Sequence, residues 1–121
     1  MRWWDDLWLN ESFAEYISHY CLENIKKDVK TLPFESAMVS FFNRKGWGYT
    51  EDMLTTTHPI RSEVENTLVA ESIFDGITYS KGAATMKQLM YLMGEENFSK
   101  SLGSYFHKFA FKNAELDDLL T

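Results

Sequence analysis

Apolar residues recur every three to four positions along most of the chain, the spacing of helices buried on one face or more. The first such stretch runs from near Trp4 to about Lys27. Its apolar positions include Trp4, Leu7, Trp8, Phe13, Tyr16, Ile17, Tyr20, Cys21, Leu22 and Ile25, which cover most of a helical wheel and predict burial on several sides. Lys26 and Lys27 close it with the charge a helix C-terminus favours. Lys30-Thr31-Leu32-Pro33 is a break and restart, with Pro33 suited to a first helical position and Glu35 to the first turn. The spacing predicts a second helix to around Arg44, striped by Phe34, Ala37, Met38, Phe41 and Phe42, and ended by Gly46-Trp47-Gly48. Trp47 is then a loop anchor or the wall of a binding site.

Residues 49 to 73 carry the least regular pattern. Thr55-Thr56-Thr57-His58-Pro59-Ile60 reads as extended, because the residue before a proline is pushed out of the helical region. Loops this long in a small domain are commonly functional. A third helix has the clearest start, with Asp75 as its cap, periodicity through Tyr79, Ala83, Met86, Met90 and Met93, and Gly94 as its stop. Tyr79 falls in the first or second turn, at the end that carries partial positive charge. Gly82 leaves room for another element to approach closely. A fourth helix, from about Glu95 to Phe109, lines up Phe98, Leu102, Tyr105, Phe106 and Phe109, and Asn113 to Leu120 opens a further capped helix. No strand alternation, repeat or low-complexity tract occurs. The expectation is an all-α fold of about four main helices plus a truncated fifth.

Composition narrows the function classes. At 121 residues the chain is one domain's worth, and 45% hydrophobic and 16% aromatic content argue against disorder. A net charge of −6, with no cluster of Lys and Arg beyond the end of the first helix, argues against a nucleic-acid interface. No run reaches the roughly 18 apolar residues of a membrane span, and no leader pattern precedes Trp3. A cytoplasmic setting is the default expectation. The one cysteine, Cys21, reads as a small core residue.

The candidate chemistry lies first in Trp3-Trp4-Asp5-Asp6-Leu7-Trp8-Leu9-Asn10-Glu11-Ser12-Phe13-Ala14-Glu15-Tyr16. Glu11 shares a helical flank with Trp4, Leu7, Ser18 and Leu22, all within about 40° on the wheel. A carboxylate there is costly unless a cation, a donor or a metal meets it. On spacing alone the ordinary account is a Lys or Arg partner or a partly wet flank; a ligand or catalytic acid is the other. Tyr79, by itself, is a core tyrosine with a satisfied hydroxyl. The three histidines, His19, His58 and His107, are scattered, with none four residues from another. His19 lies between Glu15 and Glu23, where charge pairing on a wet face is the ordinary account. His58 reads as structural.

Resemblance adds to this. Asp5-Asp6-Leu7-Trp8-Leu9-Asn10-Glu11-Ser12-Phe13-Ala14 resembles the segment that follows the H-E-x-x-H helix in aminopeptidase N-type zinc aminopeptidases, gluzincins with a thermolysin-like catalytic domain. Phe74-Asp75-Gly76-Ile77-Thr78-Tyr79-Ser80-Lys81-Gly82-Ala83 resembles that family's later F-D-x-I-x-Y-x-K-G-A segment, and the two stand in the family's order, about 70 residues apart. The resemblance implies that Glu11 is the third zinc ligand and that Tyr79 is the catalytic residue stabilising the tetrahedral intermediate. It places Asn10 and Asp6 as orienting partners of the ligating carboxylate, and brings the His58-Pro59-Ile60 loop near the site. Ser80 departs from the pattern, since many relatives carry Glu there, and any role tied to that acid is in doubt.

No H-E-x-x-H occurs here, and neither does the family's Gly-x-Met-Glu-Asn strand, which binds the substrate's amino group. The resemblance therefore implies that residues 1–121 are the helical lobe of a partial catalytic domain. The zinc ion's other ligands and the general base would come from the missing remainder of that domain, and the substrate would be a peptide with a free N-terminus. The isolated chain is then expected to be inactive. The competing reading is a non-catalytic helical interaction module or a truncated gene product.

Overall fold

The computed structural model describes all residues from Met1 to Thr121. The expectation of an all-α fold is met: six α-helices follow one another with no strand. They are α1 (Leu7–Asp28), α2 (Ala37–Asp52), α3 (Thr67–Ser72), α4 (Gly82–Met93), α5 (Glu95–Lys108) and α6 (Leu116–Leu120). A 3-10 turn, Trp4–Asp6, leads into α1, and a π-helical turn, Ile77–Lys81, leads into α4.

The core forms where α1 lies against α4, with α2 and α5 closing over the pair. Trp8, Leu9 and Tyr16 of α1 meet Ala83 and Met86 of α4, Phe41 of α2 and Phe98 of α5. Tyr16 is central: its ring meets Phe41 and Phe98 edge-on, and its hydroxyl donates to the Met90 sulfur at 2.8 Å. A second cluster, Leu7 with Val64, Ala70 and Ile73, fastens the long connection to the start of α1. There Trp3 Nε1 donates to the Val64 carbonyl, and Asp5 accepts from the Val64 amide.

Two boundaries differ from the sequence expectation. The second helix starts at Ala37, after Pro33 rather than at it. Ser36 caps it by accepting from the Met38 amide at 3.1 Å, and Glu23 of α1 accepts from the Ser36 hydroxyl and from the Ala37 and Met38 amides. Those contacts, the Ser36 hydroxyl first, hold the Glu23 carboxyl below its ordinary pKa. The same helix runs through Gly46-Trp47-Gly48 to Asp52 instead of ending there. A helical glycine costs about 1 kcal/mol against alanine, but Gly48 lies against the π-turn, where a Cβ would stand 3.1 Å from the Lys81 amide nitrogen. Close packing outweighs local propensity. A third difference is Cys21, which is exposed, as are Leu22 and Ile25 on the same stretch of α1. The apolar positions encircle this helix, and neighbouring helices cover only part of it.

Other expectations hold. Asp75 Oδ1 accepts from the Ile77 and Thr78 amides at 2.9 and 3.1 Å, and Gly94 stops α4 with φ 77°. Glu115 and Asp118 form a reciprocal capping box at the start of α6.

A carboxylate and a phenol at a candidate active site

Glu11 is carried by the second turn of α1 and Tyr79 by the π-turn before α4, and the fold brings them side by side. Burial, then the nearby Glu11 carboxylate and the charge of Glu15, push the Tyr79 phenol above its ordinary pKa, while Arg44 pulls the other way.

The approach of α1 to this turn depends on two small residues. Gly82 is buried, and a Cβ there would lie 1.9 Å from Ser12 Oγ. Ser12, one position after Glu11 and fully buried, donates to the Thr78 carbonyl at 2.6 Å. The backbone of the turn bonds five residues back, from the Lys81 amide to the Gly76 carbonyl at 2.9 Å. Such single π-turns re-aim side chains and are frequent at functional sites. Gly76 permits the turn to sit on α2, since a Cβ there would meet the Trp47 carbonyl oxygen at 2.9 Å.

Around the pair stands a group that sequence reasoning did not assemble. Trp47 stacks on Tyr79, with centroids 6.1 Å apart and planes at 27°. Arg44 lies over the Trp47 ring at 4.7 Å and grips Glu15 with two bonds, Nε to Oε1 at 2.7 Å and Nη2 to Oε2 at 3.0 Å. Glu15 is one turn beyond Glu11 on α1, so a cation and two carboxylates flank the phenol. The bond to Glu15 raises the Arg44 pKa above its ordinary value. Trp47 Nε1 donates to Glu51 at 3.1 Å, and Lys81 pairs with Asp52 at 2.6 Å. Trp47 between two glycines had signalled a loop anchor or a wall; it lies within α2, stacked on Tyr79.

The other sequence candidates lie elsewhere. Asp6 is buried and turned to the Leu116 amide, 3.2 Å away, and to Arg61, 3.1 Å away. Asn10 is exposed beside Glu11. His58 contacts Asp75 at 2.8 Å, close to the Tyr79 turn. His19 packs its ring on Phe41.

Comparison with known proteins decides the lineage. Residues 1–121 match the Peptidase family M1 domain. The chain belongs to peptidase family M1. It is 42% identical over 121 residues to an Aminopeptidase N of Streptomyces lividans, covering 99% of this chain and 14% of that protein. It is 38% identical to Aminopeptidase M1-A of Oryza sativa subsp. japonica, over 98% of this chain and 13% of that protein. A Leucyl aminopeptidase of Saccharolobus solfataricus is 37% identical, again over 98% of this chain and 14% of its own length. The chain thus spans about one seventh of these M1 relatives.

No three His, Cys, Asp or Glu side chains of this M1 segment converge on one point, whereas zinc sites use three or four protein ligands. Glu11 fits the chemistry of a single oxygen ligand, with Glu15 already committed to Arg44. No helix is long and apolar enough to cross a membrane.

Proposed function

We propose that residues 1–121 are part of the catalytic domain of a zinc aminopeptidase that removes N-terminal residues from peptides. In this reading Glu11 is one metal ligand and Tyr79 is the donor to the developing oxyanion. The observation that carries it is the proximity of the Glu11 carboxylate to the Tyr79 phenol, close enough to raise its pKa, in a chain of peptidase family M1.

Zinc, when bound, supplies Lewis acidity and an acidified water. The chain's own residues supply placement and one proton. The Tyr79 phenol is a proton donor at neutral pH, and a single donor aimed at an oxyanion contributes typically about 3 kcal/mol to the transition state. Trp47 and the π-turn hold the phenol in place, so little reorganisation is needed when charge develops. Ser12 and Gly82 fix the distance between the elements that carry the two groups. Asp6 ties the start of α1, the helix that carries Glu11, to Leu116 and Arg61.

The test uses a full-length M1 peptidase carrying this segment. Glu11→Ala should lose zinc in a metal assay, whereas Tyr79→Phe should retain zinc and lose turnover. Full zinc retention in Glu11→Ala would refute the ligand role.

A further inference from the structure

His58 joins the irregular connection to the turn that bears Tyr79. Its Nε2 lies 2.8 Å from Asp75 Oδ2, and its Nδ1 lies 2.7 Å from the Pro59 carbonyl oxygen. The other Asp75 oxygen caps the Ile77 and Thr78 amides, and the Asp75 carbonyl accepts from the Tyr79 amide at 3.0 Å. Three successive amides of the π-turn therefore close on Asp75, and Asp75 closes on His58. The ring and the carboxylate are 14% and 18% exposed, so they meet largely out of water. The carboxylate can only accept, so the ring Nε2–H donates to it. Asp75 is the charged group in contact with the ring; the remaining polar neighbour, the Ser62 hydroxyl, lies 3.4 Å from Nδ1 and donates to Pro59.

We propose that His58 is a positioning residue that donates from Nε2 to the Asp75 carboxylate and locks it in the orientation that caps the Tyr79 turn. Its consequence for catalysis rests on the oxyanion role proposed for Tyr79. Charge-assisted bonds are the stronger ones, and this one sits behind a cap rather than on it. Asn66 provides the internal comparison, since its side chain caps the Leu68 and Val69 amides of α3 at 3.0 and 3.1 Å.

The test is amide hydrogen exchange on the full chain, corrected for intrinsic rates. In His58→Phe the protection of Ile77 and Thr78 should fall about tenfold, the loss expected for one charge-assisted bond, while Leu68 and Val69 keep theirs. His58→Gln, whose amide can still donate to Asp75, should restore most of it. Unchanged protection in His58→Phe, or an equal loss at Leu68 and Val69 that Gln does not rescue, would overturn it. Exchange involves no turnover, so failure here leaves the oxyanion role standing. A fully active Tyr79→Phe parent enzyme would remove that role and leave the cap intact.

Discussion

Replacing Gly82 by alanine separates two physical expectations that differ in sign. On helix propensity alone, alanine in place of glycine at a site with ordinary helical φ stabilises by about 1 kcal/mol. The contact with α1 predicts the reverse, because the added Cβ would stand 1.9 Å from Ser12 Oγ and 2.9 Å from Ser12 Cβ. Neither atom is the free end of a flexible chain, so α1 and α4 must part or Ser12 must leave the Thr78 carbonyl. Overpacking in a close-packed core costs about 1–3 kcal/mol, and the alternative, a buried carbonyl left unpaired, costs about 1–3 kcal/mol. After the propensity gain of about 1 kcal/mol, the net loss is about 1 kcal/mol. Urea unfolding of the 121-residue chain, followed by far-UV circular dichroism, reads it as a lower midpoint. Ser12→Ala in the same background removes the oxygen and leaves the tight Cβ, so it should recover only part of the loss. A Gly82→Ala chain as stable as wild type, or more so, would refute the close approach that sets the Glu11–Tyr79 spacing.

Other outcomes follow from the same packing. Trp47→Leu should destabilise the chain by about 1–3 kcal/mol, the sum expected for an aromatic stack and a cation–π contact, with Trp47→Phe recovering the stacking part; a silent Trp47→Leu would mean that the stack contributes nothing. Tyr16 is 1% exposed, and burial, then the charges of Tyr20 and Glu95, push it from 10.0 to about 12. A raised folded-state pKa contributes stability that is present below pH 10 and lost as pH rises towards about 12, roughly 2–3 kcal/mol in all. Urea midpoints across that window should fall in wild type and fall less steeply in Tyr16→Phe; parallel slopes would contradict the assignment.

Much of this arrangement was legible from local pattern. Asp75 announced a cap and Gly94 a stop, because each is set by the backbone within a turn of itself; Gly82 announced a close approach but not that Ser12 of α1 makes it. Glu11 and Tyr79 stood out only through two segments that resemble one family, since neither a lone carboxylate nor a lone tyrosine is diagnostic. What stayed hidden depends on contacts across the fold. Arg44 and Glu15 are 29 residues apart, and His58 and Asp75 are 17 apart, with nothing in either spacing to pair them. The glycines around Trp47 spoke locally for a break, whereas α2 runs on to Asp52 with Gly48 packed against the π-turn. Cys21 looked like core because periodicity reports that a face is apolar and not whether another element covers it. The π-turn has no sequence signature; it is read only from the bond of Lys81 to Gly76.

The most direct measurement compares Tyr79→Phe with wild type in a full-length M1 peptidase carrying this segment, using both a peptide substrate and an inhibitor that mimics the tetrahedral intermediate. A donor that acts on the oxyanion predicts that kcat and inhibitor affinity fall together, by about a hundredfold or more, with KM nearly unchanged. A loss confined to KM, or unaltered affinity for the tetrahedral mimic, would contradict it.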